Sequence, residues 1–222
     1  MNKQYTSKII GLGKYVPNNR VTNDDLSEFM DTTHDWIVER TGIEERRFIP
    51  KDSAEGTASM GVRAAEQAIE RAGIHKDDID LIVFATLSPD YYFPGSGVLV
   101  QDLMGIGTCP ALDVRNQCSG FVYALSVADQ YIRTGMYENI LVIGSEHHSG
   151  GLDLSTRGRT VSVIFGDGAG AAVVSRHDNL EEGIHSTHLH SEGKHAKELS
   201  LIGPSTKKWV HEVFENYDPD DL

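Results

Sequence analysis

Apolar residues along this chain gather in short runs separated by polar and glycine-rich stretches, and the spacing within each run predicts its element. Ile9 and Ile10 open a short strand that ends at Gly11-Leu-Gly13, and a polar loop follows through Pro17, Asn18 and Asn19. Thr22 is placed to cap a helix from Asp24 to Met30, whose acidic start suits the positive end of a helix. A second short helix is predicted from Thr33 to Arg40, stopped by Gly42. Between Ser53 and Ala72 the residues Ala58, Met60, Val62, Ala65, Ala68 and Ile69 recur near helical spacing, and Gly73 is placed to end the run.

Leu81 to Thr86 reads as a buried strand, and Ala111-Leu-Asp-Val114 as the end of another. From Cys118 to Thr134, Gly120, Phe121, Ala124, Leu125, Val127, Ala128 and Ile132 cover most faces of a helix, which predicts that it is largely buried. Further strands are expected over Ile140 to Gly144, Thr160 to Phe165, Ala169 to Ser175 and Ile184 to His190. Strands alternating with helices point to a layered α/β sheet. No repeat, linker or low-complexity tract precedes the acidic tail from Glu212 to Leu222.

Composition narrows this picture. A chain of 222 residues with 39% hydrophobic content is long enough for one large domain or two small ones, each with a core, so disorder is not expected. It shows no basic-then-apolar leader and no apolar run of bilayer-spanning length, which predicts a soluble cytoplasmic protein. A formal charge of -13 argues against a nucleic-acid surface, though not against a local basic patch. The two cysteines, Cys109 and Cys118, are too few for a disulfide scaffold and lack zinc-site spacing, so each serves packing or chemistry.

Cys118 follows a strand and opens a helix, where the partial positive charge and unpaired amides of a helix start favour negative charge. From spacing alone, a small core-filling residue is an equal reading. The neighbours shift the balance: Gly120 lets another backbone or a ligand approach closely, and the abrupt strand-to-helix turn resembles a nucleophile elbow. Cys109, beside Pro110, has no such setting and is read as structural. Neither Gly11-Leu-Gly13 nor Gly166-Asp-Gly-Ala-Gly170 fits a dinucleotide fingerprint, since the first lacks a third glycine and a following helix and the second runs into a strand. His185, His188, His190 and His195 crowd one region, but no carboxylate or cysteine pattern accompanies them, so they are read as exposed strand residues and no metal is expected.

The segments Trp36-Ile-Val-Glu-Arg-Thr-Gly-Ile43, Cys109-Pro-Ala-Leu-Asp-Val114, Cys118-Ser-Gly-Phe121 with Tyr123-Ala-Leu-Ser-Val-Ala-Asp-Gln130, and Phe165-Gly-Asp-Gly-Ala-Gly-Ala171 closely resemble the 3-oxoacyl-(acyl-carrier-protein) synthase III family of the thiolase superfamily. The likeness runs from Ile9 to about Leu201. It implies a thiolase-like layered α/β fold of two similar five-stranded halves, with residues 1–176 as the first half and 177–222 as the start of the second. It implies Cys118 as the nucleophile that takes an acyl group from acyl-CoA. Trp36 is then expected to stack on the adenine of CoA, while Arg40 and either Arg157 or Arg159 hold the nucleotide end. A planar indole and a guanidinium suit those tasks. Leu87, Phe93 and Phe165 are expected to line the acyl pocket. Without the resemblance, a core Trp and solvated arginines are the simpler readings.

The implied reaction is condensation of the Cys118-bound acyl group with malonyl-acyl carrier protein, releasing carbon dioxide to start fatty acid synthesis, with no cofactor. The alternative is a non-catalytic acyl- or CoA-binding subunit of a heteromer. In the family a histidine and an asparagine of the second half complete the site. After Leu201 the stretch Gly203-Pro-Ser-Thr-Lys-Lys-Trp209 departs from the pattern, so most of that half is expected to be lacking here, through truncation, partial order or a second chain. His211 lacks the surrounding motif and is not assigned. The resemblance also implies a homodimer, in which Phe93, in Thr86-Leu-Ser-Pro-Asp-Tyr-Tyr-Phe-Pro94, reaches the partner's pocket. The competing expectation is a loop folded onto its own core.

Overall fold

The computed structural model describes residues 5–196, 198 and 199, which fall into two compact units dividing after Thr187. In the first unit β1 (Thr6–Tyr15) leads to a small ribbon of β2 (Arg20–Thr22) and β3 (Glu45–Arg47), which brackets α1 (Asn23–Ser27) and α2 (His34–Thr41). Thr22 caps α1 in a capping box: the Asp25 amide donates to its hydroxyl at 3.2 Å, and its own amide donates to the Asp25 carboxylate at 2.7 Å. The Trp36 amide donates to the Thr33 hydroxyl at the start of α2, and Gly42 ends it with φ 70°. There follow α3 (Thr57–Ala72), β4 (Leu81–Ala85), α4 (Ser96–Met104), β5 (Ala111–Val114), α5 (Gly120–Arg133), β6 (Asn139–Glu146), α6 (Arg159–Ser162) and β7 (Gly168–His177).

Five strands form one mixed sheet in the order β1-β7-β6-β4-β5. The central β6 and β4 and the edge strand β5 run parallel, while β7 is antiparallel to both of its neighbours. Alternation in β4 sorts its residues to two cores, as a doubly covered strand requires. Ile82 and Phe84 pack with Leu141, Ile143 and Val173 against Ala64, Ala65 and Ala68 of α3 and Val100 of α4. Leu81, Val83 and Ala85 pack with Ile140, Val142 and Val174 against Ala124, Ala128 and Ile132 of α5. A third cluster of Leu26, Met30, Ile37, Phe48 and Val163 joins the α1–α2 segment to the stretch around α6.

The Gly-Leu-Gly stretch has a packing role. A Cβ on Gly11 would lie 2.0 Å from the Ala68 carbonyl oxygen, and one on Gly13 would lie 1.9 Å from that of Ala64. Only bare backbone lets β1 approach α3 this closely.

Several expectations need correction. The first strand extends well beyond Ile9 to Gly13, because β7 pairs with it from Thr6↔His177 to Tyr15↔Ala169. Thr160 to Phe165 is not a strand: α6 fills its start, and Val163 is buried while Val161 and Ile164 are exposed, which is the spacing of a helical turn. Ile184 to His190 forms no regular structure, so its histidines share no strand face. The long helix α5 is not buried all round. Its Gly120, Ala124, Ala128 and Ile132 stripe faces the sheet, whereas Val122 is exposed. The helix α4 and the β2–β3 ribbon were not anticipated, since α4 bunches its apolar residues and the ribbon strands are three mostly polar residues each. The acidic tail, Trp209 and His211 lie outside the described residues.

Candidate active site at the strand ends

The parallel strands β4, β5 and β6 end together, with Ala85 opposite Val114 on one side and Gly144 on the other. Ligand sites in open α/β sheets form at such carboxyl ends. Cys118 lies just beyond β5, in a single 3-10 turn over Gln117–Ser119 that leads into α5, so it precedes the first helical residue rather than occupying the first turn. The turn is sharp: Gln117 has φ 47°, a left-handed conformation uncommon outside glycine. Close packing sets the entry of α5. A Cβ on Gly120 would lie 3.3 Å from the Ala85 side chain, and one on Gly144 would lie 3.1 Å from the Phe121 ring. Cys118 itself is exposed. Cys109 differs: it is partly buried, and burial, helped by Asp80, pushes its thiol pKa up.

Leu87 follows β4 at the same end of the sheet, and its amide donates to the Glu146 carboxylate at 2.9 Å. Glu146 ends β6, and the sequence reading missed it; a lone carboxylate closing an apolar strand was the available signal. Phe165 precedes β7, whose Gly168 pairs with Glu146, so it too belongs to this end. Its ring lies 4.7 Å from that of His148, centroid to centroid. The intervening Asp167 is buried and clamps the region: it accepts from the amides of Ile49 at 2.7 Å, His148 at 2.8 Å and Ser149 at 2.9 Å. The second glycine-rich stretch thus frames a carboxylate that binds backbone amides. A cavity of about 360 Å³ lies beside this clamp, lined by Phe48, Ile49, Lys51, Glu55, His147 and Ser149 among others, and none of the sequence-predicted site residues lines it.

Trp36 projects from α2 into a basic cluster. The Arg40 guanidinium lies 4.5 Å from the indole centroid and donates to the Trp36 carbonyl at 3.2 Å. Arg159 lies 5.1 Å from the same ring and donates to the Asp31 carbonyl. Each such contact at an exposed site stabilises by about 0.5–1 kcal/mol. Arg157 is engaged elsewhere, with Nε and Nη2 each 2.7 Å from the Asp153 carboxylate. Hydrogen bonds from Ser155 and from Arg157 hold the Asp153 pKa down to about 2. A Cβ on Gly158 would lie 1.9 Å from the Asp153 carbonyl, so glycine there lets the loop close on itself between the two arginines.

Phe93 is 83% exposed and its neighbours Tyr91 and Tyr92 are also exposed, so this loop does not fold onto its own core. Its root is fixed from both sides. Asp90 accepts from the Ala58 amide at 2.9 Å, and Asp113 accepts from the amides of Ser96 at 2.6 Å and Gly97 at 2.9 Å. Burial raises the Asp113 pKa, and the two amide donors partly offset that rise.

Among the described residues, no group of three or more His, Cys, Asp or Glu side chains is placed to hold a metal ion, and no helix is long and apolar enough to cross a membrane.

The model of the family 3-Oxoacyl-[acyl-carrier-protein (ACP)] synthase III matches residues 112–193. The chain is 50% identical over 218 residues to the beta-ketoacyl-[acyl-carrier-protein] synthase III of Aliivibrio fischeri, covering 94% of this chain and 67% of that protein. It is 48% identical over 195 residues to the Salmonella paratyphi A enzyme of that name, covering 88% and 60%. The crystal structure of 3-oxoacyl-(acyl carrier protein) synthase III from Pseudomonas aeruginosa superposes with a TM-score of 0.83 at 31% identity, over 91% of this chain and 62% of that one. The Thermus thermophilus synthase III structure gives 0.82 at 36% identity, over 89% and 60%. The chain therefore spans about three fifths to two thirds of the length of these relatives. With this identity, order of motifs and strand-end architecture, the chain belongs to the 3-oxoacyl-[acyl-carrier-protein] synthase III family, and its fold is the thiolase-like α/β fold of that family.

Proposed function

We propose that this chain carries the nucleophile-bearing part of a condensing enzyme that starts fatty acid synthesis. The observation that carries the reading is the exposed Cys118 directly after the left-handed Gln117 beyond β5, in a chain half identical to a beta-ketoacyl-[acyl-carrier-protein] synthase III. The Cys118 sulfur attacks the thioester carbonyl of acyl-CoA, the carbon–sulfur bond to CoA breaks, and CoA leaves as its thiol with the proton that Cys118 gave up. Malonyl on acyl carrier protein then loses carbon dioxide. The carbanion so formed attacks the acyl-Cys118 carbonyl and expels the cysteine sulfur, leaving a 3-oxoacyl product on the carrier. A histidine and an asparagine are expected to stabilise the carbanion and the oxyanion, and none of the residues assigned here fills those roles.

Trp36, Arg40 and Arg159 form the nucleotide end of the CoA site in this reading. Two of three candidate cations lie over the indole, which supports Arg159 over Arg157. Leu87 and Phe165 line the acyl pocket, and Phe93, exposed here, enters the pocket of a second copy in a homodimer. Residues 1–176 supply the first half of the fold and 177–222 begin the second. In this reading the reaction runs in the cytoplasm, and among the described residues no helix is long and apolar enough to cross a membrane. A scaffold subunit has no use for an exposed thiol at this turn, so no observation favours the non-catalytic alternative. Incubation with acetyl-CoA tests the reading: the chain should release about one equivalent of free CoA thiol in a burst, and Cys118→Ala should release none. Equal release from both proteins contradicts it.

A further inference from the structure

The Glu146 carboxylate accepts from four donors on one short segment. The Leu87 amide lies 2.9 Å from Oε1, the Ser88 amide 3.1 Å and the Thr86 hydroxyl 3.1 Å from Oε2, and the Ser88 hydroxyl also donates to it. Nearby, His148 Nε2 lies 3.9 Å from Oε2, beyond hydrogen-bond distance, and the His148 ring packs against Phe165. The Ser88 oxygen in turn accepts from the His147 amide at 2.8 Å, closing the network onto the chain after β6. One carboxylate thus ties the segment that carries Leu87 to the end of β6, and the His148 that follows packs against Phe165. Leu87 and Phe165 mark two walls of the acyl pocket in the reading above, on which this inference rests. Fixing two strand-end loops against each other asks for a group with several acceptor sites and no donors. An ionised carboxylate meets that need and an amide of the same shape does not.

We propose that Glu146 is a positioning residue for acyl-chain selection: it holds the Thr86–Ser88 turn, and with it Leu87, at the spacing from the neighbouring His148–Phe165 ring pair that sets pocket length. Its hydrogen bonds run to Thr86, Leu87 and Ser88 and to none of Cys118, Trp36, Arg40 or Arg159. Its loss should therefore alter which acyl chain is loaded rather than how CoA is bound. In Glu146→Gln the amide nitrogen of the new side chain confronts N–H and O–H donors, and the turn shifts. A fit change of one methylene is worth about 10-fold or more in specificity.

The experiment measures Cys118 acylation rates by mass spectrometry with acyl-CoAs of two, four, six and eight carbons. Wild type, Glu146→Gln, Glu146→Asp and Ser88→Ala are compared, with thermal melting recorded for each. The ratio of rates between best and worst chain length should change roughly 10-fold in Glu146→Gln with the inhibition constant of CoA as competing product unmoved. Glu146→Asp, which keeps the charge, should recover most of the wild-type ratio, and Ser88→Ala should shift it in the same direction as Glu146→Gln by a smaller factor. If Glu146→Gln does not fold, the Ser88→Ala ratio decides alone. A ratio unchanged in every folded variant, or a loss uniform across chain lengths, overturns the inference while leaving the proposed function standing. Absence of loading in wild type at every length overturns the proposed function and this inference with it.

Discussion

The Arg159 guanidinium and the Trp36 indole, from segments 123 residues apart in sequence (159 − 36), lie 5.1 Å apart, and the Val163–Ile37 cluster beneath them brings the two segments together. Arg157, two residues earlier, is paired with Asp153 instead. If this cluster holds the nucleotide end of CoA, Arg159→Ala should raise the KM for acyl-CoA roughly 10-fold, as loss of one charge-assisted hydrogen bond would. Arg157→Ala should leave it within about twofold. Steady-state kinetics with both variants decides the matter, and the reverse ranking would remove Arg159 from the site.

The two cysteines should differ in alkylation. Cys118 is exposed on its turn, whereas Cys109 is partly buried with its thiol pKa pushed up. Iodoacetamide at neutral pH should label Cys118 at least about 10-fold faster in the native chain, with the difference vanishing in denaturant. Comparable native rates would count against an accessible nucleophile.

Packing of β1 on α3 should not tolerate a methyl group. Gly11→Ala or Gly13→Ala drives a Cβ into a helix carbonyl oxygen, and overpacking of this kind costs about 1–3 kcal/mol or more. Chemical denaturation should show that loss for either variant. Gly107→Ala, where nothing lies within 4 Å, serves as the control and should be nearly neutral. A neutral result at Gly13 would mean that β1 and α3 separate more easily than their contact suggests.

Assembly turns on the loop at Phe93. Three adjacent exposed aromatics on an anchored loop form a surface that a second copy would cover. Solution mass measurement should give a dimer, and Phe93→Ala should shift loading toward longer or branched acyl groups without altering the response of CoA binding to Arg40→Ala. A monomer, or an unchanged acyl preference, leaves the interface without support.

How much of this was legible beforehand varied with the kind of interaction. Helix ends marked by a local cap were readable, as at Thr22, Thr33, Gly42 and Gly73, whereas α1 ends at Ser27 rather than Met30 and α3 starts at Thr57 rather than near Ser53, where no such signal stands. Buried strands with uniform apolar runs, such as β4 and β6, were readable for the same reason. The extension of β1 depends on its pairing with β7, more than 150 residues away, and no local pattern in Thr6-Ser-Lys8 announces it. Apolar content misled at Thr160 to Phe165, where Val163 packs under α2 while Val161 and Ile164 face outward. For the candidate site, Cys118, Trp36 and Arg40 were proposed through motifs. The proposed preference for Arg159 over Arg157 draws on the position of Asp153, which no local pattern shows, and the contacts of Glu146 arise only because β4 and β6 end side by side.

Central to the account is that Cys118 accepts an acyl group. Intact-mass analysis after mixing the full chain with acetyl-CoA and longer acyl-CoAs, followed by peptide mapping, tests this directly. An adduct of one acyl group on the peptide bearing Cys118, absent in Cys118→Ala while that variant melts at nearly the same temperature, is the result predicted. No adduct at any chain length, or an adduct on Cys109 instead, would contradict it.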